Sequence, residues 1–307
     1  MRCENGLSLK IDVDTHDGMK DGVVPLLEDL SRFGIKATFC LSFGPDNSGK
    51  AIFRLLKEKK FLKKMLLTGA PRLYGLRTVF SGTLLPARPI ALAFPELCQR
   101  IRDEGHEVIV HAWDHRRWQD HLSVMSEEEI RDHFKKAFLA YKKVLGTRPW
   151  AVAAPGWQAT GRSLKVQDDL GLLYASDLRE GPPCILEGED GRKFKTLQIP
   201  TTGPCVEELL AQGIRDEDAL EEALLSGLVG KEAPVLALHA EVEGRMFRPF
   251  FRRLMMSLMK KFNEFPTLAD RATSLLQHPD NIRICRLRYI ELPGRAGKVA
   301  SSVCFDA

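Results

Sequence analysis

Seven short apolar runs punctuate this 307-residue chain, and most of them stop at a residue that can do chemistry. In the first, Leu7, Leu9, Ile11 and Val13 alternate with other residues, which predicts a strand opening into Thr15-His16-Asp17-Gly18. A helix over Val23 to Leu30 follows, with Pro25 in its first turn and a stop near Gly34, and Lys36 to Phe43 reads as the second strand. Glu107 to Val110, Trp150 to Ala154, Leu172 to Ser176, Thr196 to Ile199 and Val235 to Leu238 continue the series. Strand, helix, strand is the unit of a parallel α/β sheet, whose C-terminal edge collects ligands because its loops vary while the strands hold them. Asp12, Asp14, His111, His115, Gly156, Asp177 and His239 all fall at or just beyond such ends.

Asp12 and Asp14 arrive together at a partly buried strand end, where they repel unless a cation or a shared proton relieves them. Capping a turn is the plain alternative for both. His111 and His115 follow a β-branched run, and a separation of four puts them on one face if the loop opens as a helical turn. Eight histidines in 307 residues produce such a pair by chance in roughly one chain in five, so the context carries the weight. Two nitrogens and one oxygen make a set left open for a metal's water, suited to zinc and also to cobalt, nickel, manganese or iron.

A net charge of +4 is too mild to point to nucleic acid. The seven cysteines are scattered and odd in number, which predicts free thiols in a reducing compartment. No run reaches membrane-spanning length, and the start of the chain leaves no room for a signal peptide. From about 50 to 94 the strand rhythm is interrupted by a basic amphipathic stretch that includes Lys59, Lys60, Lys63 and Lys64. It is either a core helix with a solvated basic face or a helix that docks on an anionic bilayer. Helices are predicted over Pro95 to Asp103, Ser126 to Leu145 with a Ser126/Glu129 capping box, Glu207 to about Leu225, Arg245 to Phe262 and Thr267 to Gln277. The Arg245 to Phe262 element again reads as either core helix or membrane face, and about 278 to 307 as a basic tail. Without repeats or linkers, 1 to 307 is expected to be one domain with no obligate protein partner.

Ile11-Asp12-Val13-Asp14, His111-Ala112-Trp113-Asp114-His115, Ala154-Pro155-Gly156-Trp157 and Leu236-Ala237-Leu238-His239-Ala240 occur in this order. They resemble the motifs of the polysaccharide deacetylase family of carbohydrate esterases, metal-dependent enzymes that strip acyl groups from amino sugars on an irregular (β/α) barrel. The resemblance implies Asp14, His111 and His115 as metal ligands, Asp12 as general base and His239 as general acid. Gly44-Pro45-Asp46-Asn47, Leu73-Tyr74-Gly75, Ser176-Asp177 and His239 to Gly244 are similar to the subgroup that deformylates 4-deoxy-4-formamido-L-arabinose on undecaprenyl phosphate. That likeness implies a peripheral enzyme at the cytoplasmic face of the inner membrane, acting in lipid A modification. It places Gly156, Trp157, Asp177, Glu241 and Trp113 around the substrate, with N–H groups near Gly156 and Trp157 facing the oxyanion. Trp113 and Trp157 stack on a sugar or belong to the core; Glu241 and Glu243 hold the histidines, face the new amine or are solvated. His16, His106, His121 and His133 read as structural. Where many family members carry an arginine before the third-motif proline, this chain has Ala153 and Ala154, so Asp12 has no assigned partner. The subgroup's arginine and glycine appear as Arg179-Glu180-Gly181. The competing readings are an N-deacetylase of peptidoglycan or chitin-like sugars and a non-catalytic membrane-surface binder with a vestigial site.

Overall fold

Strand β1 (Ser8–Val13) is buried on both faces, and its two faces are chemically different. Leu9, Ile11 and Val13, with Leu7 before them, pack outward into the main apolar core. Ser8, Lys10 and Asp12 point the other way and are equally hidden from water. Such a polar inner face requires the sheet to curl round it, and it does. In the computed structural model, which describes residues 6–51 and 76–305, β1 is joined by β2 (Thr38–Ser42), β3 (Glu107–Ala112), β4 (Ala151–Val152), β5 (Tyr174–Ala175), β6 (Cys184–Glu187), β7 (Leu197–Gln198), β8 (Val235–His239), β9 (Arg283–Glu291) and β10 (Lys298–Cys304).

The sheet order is β10-β9-β6-β7-β5-β4-β3-β2-β1-β8. From β8 through β1, β2, β3, β4 and β5 to β7 every pairing is parallel. Past β7 the chain folds back on β8, where Thr202 N donates to Val235 O at 2.9 Å and Val235 N donates to Thr202 Oγ1 at 2.8 Å. This contact closes the irregular barrel. Inside it, Cys40, Ile109, Ala151, Ala153, Tyr174, Leu197 and Val235 pack with Leu268 and Ala272 of the helix Leu268–Leu276. Arg271 on that helix reaches Ser8 Oγ, Gly6 O and Pro234 O, so the N-terminal end of the barrel is plugged. The C-terminal end is left to carry the chemistry.

Most expected helices form with the expected ends, including Val23–Phe33, Pro95–Asp103 and Glu127–Leu145 with its Ser126/Glu129 capping box. The acidic stretch divides into Val206–Ala211 and Glu217–Leu228 at Gly213, whose φ is +94°. Helix Arg248–Lys261 resolves as a core helix, burying Phe250, Phe251, Leu254, Met255 and Leu258. Its arginines are spent on intramolecular pairs: Arg248 and Arg252 with Asp29, and Arg253 with Glu217, Asp218 and Glu221. The segment 52–75, with Lys59, Lys60, Lys63, Lys64 and Leu73-Tyr74-Gly75, lies outside the described residues. Among the described residues no helix is long and apolar enough to cross a membrane.

The basic tail is a correction. Residues 283 to 304 form the hairpin β9–β10, laid parallel against β6. Its arginines Arg283, Arg286 and Arg288 are all exposed, which gave the stretch its tail-like composition. The hairpin register sets Cys285 opposite Cys304, and the two are joined in a disulfide rather than free as expected. Cys40, Cys98, Cys184 and Cys205 are buried free thiols.

Behind the barrel mouth, Arg179 is 2 % exposed and donates from Nη1 to Glu208 Oε1 at 2.8 Å and from Nη2 to Gly203 O at 2.6 Å. Burial pushes the Glu208 carboxyl up, but Arg179 and then Arg295 outweigh it and hold it at about 2, below the ordinary 4.5. A depressed folded-state pKa means stability that is complete above the ordinary value and drains as pH falls towards the folded one. Removing one partner of a buried pair costs about 3–5 kcal/mol. Arg179→Met is therefore expected to lose about that much at neutral pH, with the deficit shrinking between pH 4.5 and 2 as Glu208 protonates in the parent. Urea unfolding of both proteins across that range checks it.

Candidate active site

The first and last core strands lie side by side, with Asp12 in register with His239. β2 and β3 follow on the other side of β1, so the end of β3 brings His111 to the same edge. His111 is on the strand and His115 opens the helix His115–His121, with Asp114 as the cap accepting Arg117 N. The pair therefore converges across a strand-to-helix turn, not within one helical turn, and the ring centroids are 5.2 Å apart. His133, buried on the long helix, accepts Trp113 N at 3.0 Å and steadies this turn.

Asp14 Oδ1 is 3.2 Å from His111 Nε2, and Asp14 Oδ2 is 3.2 Å from His115 Nε2. His111 Nδ1 lies 2.8 Å from Ala153 O, which only accepts, so Nδ1 carries a proton and Nε2 faces Asp14. Donor atoms of these three residues all fall within 4.8 Å of one another. Burial raises the Asp14 carboxyl, but His115 and His111 overcome it and hold it well below the usual range. Two imidazole nitrogens and a carboxylate aimed at one point suit a divalent cation. Beside them, buried Asp12 Oδ1 has no hydrogen-bond partner among the described residues.

Asp12 has a partner that the sequence motifs did not assign. Lys10 Nζ donates to Asp12 Oδ2 at 2.8 Å, with the lysine side chain 0 % exposed. Residues two apart on a strand share a face, so a lysine two before a carboxylate was the available signal. Burial alone pushes Asp12 up; Lys10, His111 and His239 together bring it below the ordinary value. His239 Nδ1 stands 2.9 Å from Glu207 Oε1. Burial works against a charged ring there, but Glu207, with Asp14 and Asp12, raises His239 well above the ordinary histidine value. Nothing local in the sequence ties Glu207 to His239.

Glu241 and Glu243 are not solvated. Glu241, fully buried, accepts Asp14 N at 3.0 Å, Thr15 N at 2.9 Å and Thr15 Oγ1 at 2.8 Å. It therefore holds the loop that carries Asp14. A Cβ on Gly18 would come 1.9 Å from Glu241 Oε1, so this approach needs glycine. Glu243 accepts His239 N at 2.7 Å.

Two further expected contacts are also corrected. Trp157 is 2 % exposed, with φ +53°, and its Nε1 donates to Thr201 Oγ1 at 3.0 Å. Lys10, Arg179 and Arg295 lie over its ring, so it is a platform for cations and its N–H is spent on Ala154 O. Asp177 is fully buried and accepts Gln167 Nε2 at 2.6 Å, and burial pushes it up to about 6. Gly156, at φ +60°, packs so closely on Gln119 that any side chain there would collide. Trp113 is half-buried with its ring against Gly44. His106 accepts Ala37 N, in keeping with a structural role.

The barrel's open edge thus sets Asp12 and His239 beside Asp14, His111 and His115, three residues that could hold a metal ion. Residues 14–175 match the sequence model of the family described as polysaccharide deacetylase. A protein of Shewanella sediminis (strain HAW-EB3), named as a probable 4-deoxy-4-formamido-L-arabinose-phosphoundecaprenol deformylase ArnD, is 32 % identical over 292 residues, 95 % of this chain and 92 % of that protein. A protein of the same name from Wigglesworthia glossinidia brevipalpis is 29 % identical over 289 residues, 92 % and 97 % of the two chains. The crystal structure of Puue allantoinase superposes with a TM-score of 0.62 over 91 % of this chain and 93 % of that one, at 16 % identity, a likeness of fold alone. The chain belongs to the polysaccharide deacetylase family, and it is a hydrolase of amide C–N bonds on amino sugars.

Asp14→Ala is expected to abolish retention of a divalent ion, whereas Asp12→Asn retains it and loses turnover. Glu241→Ala, which frees the Asp14 loop, is expected to weaken retention roughly 10- to 100-fold. Metal analysis of chelator-free protein after dialysis separates the three; equal loss from Asp12→Asn and Asp14→Ala would contradict the roles.

Proposed function

We propose that this protein removes the formyl group from 4-deoxy-4-formamido-L-arabinose carried on undecaprenyl phosphate, giving the free amine and formate. The step serves the modification of lipid A with aminoarabinose, which protects against polymyxin and cationic peptides, and the enzyme works peripherally at the cytoplasmic face of the inner membrane. The observation that carries this reading is the pairing of each reactive group with a dedicated partner: Asp12 with Lys10 and His239 with Glu207, flanking Asp14, His111 and His115. The names of the two relatives, alike over nearly the whole chain, support the formamido sugar and its lipid carrier.

Asp14, His111 and His115 would hold a divalent cation, which would supply Lewis acidity able to bring the pKa of water to about 7. Lys10 occupies Asp12 Oδ2 and leaves Oδ1 to take a proton from the attacking water. Because Lys10 is charged and sealed in, it keeps Asp12 ionised in a site where burial alone would neutralise it. His239, kept protonated by Glu207, then gives a proton to the departing amine. Glu243 on the His239 backbone and Glu241 on the Asp14 loop hold acid and cradle in a fixed relation.

Lys10→Met is expected to lower kcat by roughly 10²- to 10⁴-fold, the range of general-base catalysis, with ion retention unchanged and partial rescue by Lys10→Arg. Assay of the purified protein with the lipid-linked formamido sugar beside its acetamido analogue, reading formate or acetate, tests the substrate. Preference for the acetamido compound would make it an N-deacetylase, and turnover of neither would make it a binder.

The basic stretch supports the membrane reading. Anionic vesicles are expected to bind the protein, less so at high salt, and less after charge reversal at Lys59, Lys60, Lys63 and Lys64. Binding unchanged in cosedimentation would remove those residues from the docking surface.

A further inference from the structure

A second set of metal-binding groups stands beside the cradle. Cys205, Glu207 and His239 each offer a ligand atom, and these atoms lie within 4.8 Å of one another. None of the three belongs to the cradle of Asp14, His111 and His115. The Cys205 side chain is buried, while Glu207 and His239 keep side-chain exposures of 14 % and 13 %, so an ion has a way in from the mouth. Glu207 Oε1 already faces His239 Nδ1 at 2.9 Å. Cys205 caps the helix Val206–Ala211, and its backbone N donates to Glu208 Oε2 at 3.2 Å. Fully buried Glu243, which grips the His239 backbone through Oε2, has no hydrogen-bond partner at Oε1.

The structure assigns to Cys205, Glu207 and His239 a second divalent-cation site, selective for a soft cation such as zinc, whose filling switches off the general acid. The balance is simple. Cys205 gives its thiol proton to solvent, the proton on His239 Nδ1 leaves as well, and the cation takes the place of both; nothing is oxidised or reduced. With Nδ1 ligated, loss of the remaining proton from Nε2 would leave an imidazolate, so the ring cannot protonate a departing amine. Thiolate and imidazole together favour zinc or cobalt, whereas manganese and magnesium prefer oxygen. The existence of the site does not depend on the proposed reaction; its inhibitory effect rests on His239 being the acid.

The test uses the full chain, stripped of metal and titrated with cobalt(II). Two equivalents are expected, one of them producing a near-ultraviolet thiolate-to-cobalt charge-transfer band that the cysteine-free cradle cannot give. Cys205→Ser should lose that band and keep the other equivalent; serine is a preferred helix cap, so the fold is retained. Basal turnover should be unchanged, and inhibition by excess zinc should weaken by roughly tenfold or more in the variant, with excess manganese inhibiting neither protein. Absence of a thiolate band, or a band that survives Cys205→Ser, would overturn the site. Full activity of the parent with the band developed would overturn the switch and with it the assignment of His239, while leaving the site standing.

Discussion

An ammonium and a carboxylate sealed inside a barrel set the terms for everything at its mouth. Lys10 and Asp12 are both hidden from water, and each would be prohibitively costly there without the other. Because they lie on the inward face of one strand, the strand's outward face is free to be wholly apolar and to pack into the main core. The pairing also explains Trp157. Held in a left-handed conformation that costs about 1–3 kcal/mol, it presents its ring to Lys10, Arg179 and Arg295 at once. A residue that looked like a sugar platform is a support for buried positive charge.

The remaining reactive groups are fixed by carboxylates from two places. The loop after β8 supplies Glu241 to the Asp14 loop and Glu243 to the His239 backbone, so Asp14 and His239 share one mounting. Glu207 reaches His239 from the helix Val206–Ala211, whose neighbour Glu208 is tied to Arg179 and to Arg295. Arg295 comes from the tip of the β9–β10 hairpin, which links the far end of the chain to the acid. On the other side, Arg88 and Thr78 both bond Asp17, and Asn47 bonds Asp114 between the two cradle histidines. Residues from before and within the basic stretch thus tie down the loops that follow Asp14 and separate His111 from His115.

None of this selects a substrate by fold. A barrel of this shape also occurs in Puue allantoinase, and one fold can carry many functions.

Alternating apolar positions in Leu7 to Val13, the β-branched run before His111 and the apolar run before His239 were enough to place Asp12, Asp14, His111, His115 and His239 at one sheet edge, because strand period and parallel connection are local properties of the chain. The Ser126 cap and the ends of the helices were legible for the same reason. What could not be read was every relation that depends on which strands become neighbours. Glu207 meets His239, Glu241 meets Asp14 and Cys285 meets Cys304 only after the barrel has closed and the hairpin has found β6, and charged side chains such as Lys10, Glu241 and Asp177 can be recognised as buried only then. Sequence determined which groups the edge would hold; tertiary structure decided how they are paired, since the cost of burying a charge depends on what the rest of the fold places beside it.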